Sequence, residues 1–312
     1  MNLRHLRTFT AIADAGGVAR AAARLNLSQP AASRQISTLE AELGVPLFDR
    51  VGRRVQLTSE GEDLLRRRRH LLNEADLLGE RARALKGGQA GTLRMGATPH
   101  VIETLLAEFL PHYRRRHPGV EIRLIEDGGA RLPSRLERGE VNLAFMPAGD
   151  ARFGARLLYP MHVLIIVAKG HRLCRGATIE LEKLADEPLL VLRREFGSRA
   201  WFDAACEIAH VRPRVVLESA APHTVMALAT AGYGIAVVPS NVDFRRAHGL
   251  ALALVHRGVP IGRWAAIGWD PQRFLAPYAE QFVKEVAAHV RRSHPGHELI
   301  RHAPRLPRPK GA

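Results

Sequence analysis

Cysteine is nearly absent: Cys174 and Cys206 are the only two in 312 residues. That excludes a disulfide framework. Long apolar runs are missing too. No stretch approaches the roughly 20 apolar residues of a membrane span, and the N-terminus lacks an apolar signal-peptide core. The expected location is therefore the cytoplasm, with no membrane partner. G-x-x-x-x-G-K-[S/T], H-E-x-x-H, C-x-x-C and G-x-S-x-G are all absent, which argues against an enzyme. No catalytic residue, metal or cofactor is expected. The acid pair Glu126-Asp127 reads as a solvated turn. Acids are also outnumbered, 31 Asp and Glu against 46 Lys and Arg, for a formal net charge of +15. The basic residues are overwhelmingly Arg. Such a balance predicts a polyanionic partner, with nucleic acid the default. The length allows two or three domains with sizeable cores.

What is present is concentrated in Gly17 to Leu43. Val18, Ala21, Ala22 and Leu25 recur at helical spacing. Asn26-Leu27 interrupts them. Ser28 offers an N-cap hydroxyl, and Pro30 sits early in the next helix, where its missing N–H is not needed. Ala31, Ile36, Leu39 and Leu43 give that helix an apolar side, and Gly44 ends it. The opposite side carries Gln29, Ser33, Arg34 and Ser37. Gln pairs with adenine edges, Arg with guanine, and Ser reaches base or phosphate. These groups sit at the helix N-terminal end, where a recognition helix meets bases. A preceding helix is marked by Leu3, Leu6, Phe9, Ile12 and Ala13. After it all, Arg50-Val51 and Val55-Gln56-Leu57 read as a hairpin turning at Gly52-Arg53, with Arg53 and Arg54 near its tip.

Residues 1–61 closely resemble the N-terminal domain of LysR-type transcriptional regulators. MNLRHLRTFTAIADAG resembles that family's first helix, ARAAARLNLSQPAASRQISTLEAELGVPLFDR its helix-turn-helix, and VGRRVQLTSEG its wing and the start of its linker helix. One departure is Gly17-Val18, where relatives usually have Ser-Phe. The resemblance implies that Gln29, Pro30, Ser33 and Arg34 meet bases and backbone of double-stranded promoter DNA, with Arg53 and Arg54 at the wing.

Thr58 or Ser59 is expected to cap the next helix, with Ser59 and Glu62 at capping-box spacing. Leu64, Leu65, Leu71, Leu72, Leu78 and Leu85 give it a long apolar stripe that needs a partner. The resemblance implies antiparallel pairing with the same helix of a second subunit, and assembly as a dimer of dimers. Gly87 to Gly91 reads as a flexible joint.

From Thr92 onward, strands alternate with helices, the pattern of a parallel or mixed sheet flanked by helices. A break near Pro160 and a return near Arg263 suggest two lobes joined by two crossing strands. LRMGATP, FLPHYRRRHPGVEIRL, LERGEVNLAF and TAGYGIAVVP resemble phrases of the family's effector-binding domain. That domain is built like a periplasmic binding protein. Asn142 stands where relatives usually have Asp. The expected fold class is thus α+β multidomain. Residues 1–58 form a winged helix-turn-helix and 59–91 a linker helix and hinge. Residues 92–292 form a two-lobed α/β effector domain (lobe I 92–160 and 266–292, lobe II 161–265). Residues 293–312, rich in Pro, His and Arg, read as a disordered basic tail.

In such lobes a ligand binds beyond strand C-terminal ends, where helix N-termini point. On the family's geometry three turns would converge there: Thr98, Pro99 and His100; Ser198 and Arg199; His223 and Thr224. Gly128-Gly129 and Val238-Pro239 would be walls. Free N–H groups, hydroxyls, Arg and His favour an anion, so the expected effector is a small organic carboxylate. The family further implies a change in DNA bend on effector binding, with RNA polymerase as a further partner. Some peroxide-sensing relatives carry a redox cysteine pair. For Cys174 and Cys206 the buried, inert thiol is the expected state. The competing function is a non-specific, nucleoid-type DNA binder, which charge permits but a cleft-bearing domain does not require.

Overall fold

In this computed structural model residues 2–51, 54–65, 78, 79, 81, 82, 90–174, 176–244 and 249–309 are described. The chain divides into two compact units, the first centred on residues 1–85, the second on 86–137 and 141–312.

The first unit opens with three helices, α1 (Leu3–Ala15), α2 (Val18–Arg24) and α3 (Gln29–Leu43), followed by the hairpin β1 (Phe48–Val51) and β2 (Arg54–Leu57). Leu6, Phe9, Ile12, Ala21, Ile36, Leu39 and Leu47 form its core. On α3 the buried alanine is Ala32, fully covered, rather than Ala31. Turning from i to i+4, Ala32, Ile36 and Leu39 share one face. Phe9 and Phe48 meet edge to face, ring centroids 5.3 Å apart, which ties α1 to the hairpin. β1 and β2 pair antiparallel, Phe48 opposite Leu57 and Val51 opposite Arg54. Residues 59–65, 78–79 and 81–82 are helical. The remainder of the expected linker helix, and the joint at 87–89, lie outside the described residues.

The second unit holds two sheets that share one long strand. Strand β3 (Gly91–Ala97) leads into helix α4, which begins at Pro99–Val101, passes through a π-helical turn at Ile102–Leu106 and continues over Ala107–Arg116. Then come β4 (Val120–Glu126), α5 (Leu132–Glu137), β5 (Leu143–Pro147) and the 14-residue β6 (Gly154–Val167). Next are β7 (Thr178–Glu180), β8 (Pro188–Leu192), α6 (Gly197–Ile208), β9 (Arg214–Ser219), α7 (Pro222–Thr230) and β10 (Ile235–Pro239). The chain closes with β11 (Leu250–His256), β12 (Val259–Pro260), β13 (Gly262–Trp269) and α8 (Pro277–Arg292). The strand order runs β4-β3-β5-β13-β6-β10-β8-β9.

β6 is the seam. Its first half, Gly154 to His162, pairs with β13. Its second half pairs with β10 and β11. Val163, Ile165 and Val167 enter one core and Leu164 and Ile166 another, because a strand with both faces covered reads as a continuous apolar run. β6 and β13 are therefore the crossing strands. Pro160 stands opposite Trp264, beside a register shift between Trp264 and Ala266. Around β3, the core includes Phe109, Tyr113 and Phe282, packed as aromatic pairs.

Two expectations are corrected. Residues 293–309 are not a free tail: Leu299, Ile300 and Ala303 pack against the core that contains Val225 and Val238, and Leu306 is buried. Asp127 is not solvated. Its side chain is 6% exposed and pairs with Arg131 and Arg135. Burial opposes its charge, but hydrogen bonds from Arg135 and the Gly128 N–H outweigh burial and hold its pKa below the usual range.

Candidate nucleic-acid interface and ligand cleft

The turn between α2 and α3 forms as its residues dictate. Asn26 adopts a left-handed conformation, φ 54°, and the Leu27 N–H reaches back to the Ala22 carbonyl at 2.9 Å, closing α2. The Ser28 hydroxyl accepts the Ala31 N–H at 3.3 Å. Gly44 ends α3 in the left-handed region. Two polar contacts that the sequence did not reveal fix α3 in place. Thr8 donates to Gln35 Oε1 at 2.6 Å. Glu40 Oε1 accepts from the Leu47 N–H at 2.8 Å and the Phe48 N–H at 3.3 Å. Gln29, Pro30 and Arg34 are exposed at the N-terminal end of α3, and Ser33 is half-buried beside them. A rigid helix thus presents an amide, a hydroxyl and a guanidinium on one outward face. At the wing, Arg53 lies outside the described residues. Arg54 begins β2, its side chain likewise outside the description. Thr58, not Ser59, caps the following helix. Its Oγ1 accepts the Gly61 N–H at 2.9 Å and donates to the Pro46 carbonyl at 2.7 Å, whereas the Ser59 hydroxyl turns to Glu60.

In the second unit a cleft of about 1130 Å³ opens between the two sheets. Thr98 and His100 at the start of α4, Gly129, and Ser198 at the start of α6 all line it. The first-turn N–H groups of a helix have no partner within the helix; at the start of α4 Pro99 has none to offer, and at the start of α6 the Arg199 N–H turns back to the Phe196 carbonyl at 3.0 Å. Phe196, the residue before α6, meets His100, ring centroids 5.5 Å apart. His100 is 5% exposed, and its Nε2 has no hydrogen-bond partner among the described residues. Burial, reinforced by the nearby His223, pushes its pKa down to about 4. His100 is therefore neutral at physiological pH, so of the two roles expected of it, positive charge or hydrogen bond, only the hydrogen bond is open to it.

Other expected residues stand elsewhere. Arg199 is buried, donating to Asp203 at 2.7 Å, the Leu192 carbonyl at 2.8 Å and Glu218 at 2.9 Å. It ties α6 to β8 and β9 and is not a cleft residue. Pro99, Gly128, His223 and Thr224 also fall outside the cleft lining. His223 is half-exposed and 3.6 Å from Glu103, and Thr224 is exposed. Gly129 and Pro239 do form walls, while Val238 is buried in the core behind. Three arginines that the sequence reading missed, Arg194, Arg263 and Arg308, line the cleft. They come from a loop, a crossing strand and the C-terminal segment, and no local pattern announces their convergence.

Asn142, the departure from the family's usual Asp, is structural. Its Oδ1 accepts the Arg94 N–H at 2.9 Å, and its own N–H donates to the Arg94 carbonyl at 2.8 Å. Cys174 and Cys206 are both free. Burial, with the charge of Asp203, pushes the Cys206 thiol up to about 12, so it stays protonated and unreactive at neutral pH.

Comparison with known proteins matches both halves of this picture. Residues 3–62 match the profile of the bacterial regulatory helix-turn-helix protein, lysR family. Residues 86–291 match that of the LysR substrate binding domain. The chain is 32% identical over 245 residues to the HTH-type transcriptional regulator AlsR of Bacillus subtilis, covering 77% of this chain and 81% of that protein. A full-length OxyR variant from Pseudomonas aeruginosa superposes with a TM-score of 0.70 at 25% identity, over 95% of this chain and 99% of that one. Full-length CbnR complexed with its target DNA superposes with a TM-score of 0.65 at 26% identity, over 94% and 100%. A helix-turn-helix with an exposed polar face, followed by a two-sheet domain with a cleft, is thus the architecture of known regulators, and the chain belongs to the LysR family of transcriptional regulators.

Proposed function

We propose that the protein is a cytoplasmic, sequence-specific regulator, not an enzyme, whose paired subunits set two copies of α3 in successive major grooves of an inverted repeat. Gln29, Pro30, Ser33 and Arg34 meet bases and backbone, and the wing arginines Arg53 and Arg54 meet phosphate or minor groove. The unit of action is a homodimer, assembled further into a dimer of dimers, and RNA polymerase is the downstream partner. Support comes from the outward face of α3, whose exposed side chains have the chemistry of direct readout. The test is Arg34→Ala. Specific binding should fall much more than binding to random DNA. Equal losses on both would make Arg34 a phosphate contact only.

The effector we propose is a small organic anion, a carboxylate. One observation carries this reading: a buried histidine with an unpartnered Nε2 lies in a cavity that two helix N-termini also line. Helix N-termini favour anions, and a neutral imidazole N–H donates to one without an opposing charge. The acting residues are Thr98, His100 and Ser198, with Gly129 giving room. Arg199 takes no part. Effector binding shifts the assembly only by binding its two arrangements unequally. Calorimetric titration of the wild type, Thr98→Val and Ser198→Ala with carboxylic acids tests this. Equal affinity for all three proteins would refute the assignment.

A further inference from the structure

Residues 293–309 lie beyond the stretch matched by the substrate-binding profile, which ends at 291, yet they help to wall the cleft. The segment is anchored along its length. Gly296 sits at φ 75° against the Ser240 carbonyl, so close that a Cβ would come within 1.8 Å of that oxygen. The His294 ring stacks on Tyr159, centroids 5.3 Å apart and 4° from parallel. His162 Nε2 lies 2.9 Å from the Pro304 carbonyl, so that nitrogen carries the proton. Trp264 Nε1 donates to the Pro307 carbonyl at 3.0 Å, and the Arg308 guanidinium lies over the Trp264 ring, 5.4 Å from its centroid.

Arg308 thereby joins Arg263 on the rim of the same cavity that Thr98, His100 and Ser198 line. Acids are also present. Asp150 is held at 2.9 and 2.6 Å by Arg152, and Glu195 stands beside Arg194. The wall formed by Arg263, Trp264 and Arg308 itself carries positive charge. Stacking on Trp264 restricts the Arg308 side chain before any ligand arrives, which lowers the entropy that binding costs. The prolines at 304, 307 and 309 stiffen the strap that carries it.

We propose that the effector is an elongated dianion. One acid group sits at the α4 and α6 starts, the second on Arg308 and Arg263, and Arg308 is the specificity-determining residue supplied by the C-terminal strap. This rests on the anionic-effector reading above. A second charge-assisted contact adds about tenfold or more in affinity.

The test titrates the full chain and Arg308→Gln with pairs differing by one carboxylate, hexanoate with adipate and benzoate with terephthalate. Arg308 is exposed, so the variant folds. In the wild type the better diacid should bind at least about tenfold tighter than its monoacid. In Arg308→Gln that advantage should shrink below about threefold. Monoacid binding without a diacid advantage, or an advantage that Arg308→Gln retains, overturns the inference and leaves the anionic-effector reading standing. If no acid binds the wild type, both fall.

Discussion

Replacing Arg199 with alanine separates two roles for one residue. As a ligand contact it would matter to affinity and little to stability. The geometry argues the reverse. Its guanidinium makes three short contacts, to Asp203, the Leu192 carbonyl and Glu218, and its side chain is 5% exposed. The two carboxylates are 30% and 45% exposed, so water takes over much of their charge when the arginine goes, and each contributes at the low end of its range. The Leu192 carbonyl belongs to a residue 1% exposed and loses a donor, a loss of about 1 to 3 kcal/mol. Together with the packing of the buried stem, the loss comes to about 3 kcal/mol. For a unit of this size that lowers Tm by roughly 6 to 12 °C. Calorimetric scans of the full chain should show the transition of the second unit falling by this amount. An unchanged transition combined with weaker effector binding would refute the structural assignment and return Arg199 to the ligand site.

Three further outcomes are expected. Thr58→Ala should destabilise the first unit by about 1 to 2 kcal/mol, because it removes a helix cap, while Ser59→Ala should change its urea midpoint little. Asn142→Ala should cost about 1 to 3 kcal/mol by stranding the Arg94 N–H, and Asn142→Asp should restore it, both read by thermal unfolding. His100 is held neutral in the fold, its pKa depressed to about 4, while the unfolded chain titrates near 6.5. The unfolded state then takes up more protons in that window, so stability falls as pH drops from about 6.5 to about 4. Between about pH 7 and pH 4.5 this amounts to about 2 kcal/mol from His100 alone, read as the difference in acid sensitivity between wild type and His100→Gln. Equal acid sensitivity would contradict the burial argument.

Local chemistry was legible in the sequence; convergence from afar was not. Ser28, Pro30 and Gly44 marked the ends of α3 because caps act within three residues. β11 carries little strand signal of its own: Leu-Ala-Leu-Ala-Leu-Val-His has neither apolar-polar alternation nor β-branched enrichment, and its strand state comes from pairing with β6 and β7. The C-terminal strap read as disorder because Pro, His and Arg dominate it. Its signal was Leu299, Ile300 and Leu306, apolar residues few enough to pass unnoticed. Arg199 had one visible partner, Asp203 at i+4, but Glu218 arrives from a neighbouring strand. Thr98 and Ser198, singled out as hydroxyls at helix starts, both line the cleft. Whether His100 is charged or neutral was not legible, because depth of burial is a tertiary fact.

The central claim is a regulator that reads DNA sequence through α3, and its most direct test is to sequence the genomic fragments that the purified protein retains at physiological salt. The account predicts enrichment of a few sites that share an inverted repeat, with neighbouring genes pointing to the effector's chemistry. Uniform retention across the genome would contradict it, leaving the net charge of +15 as the whole basis of binding.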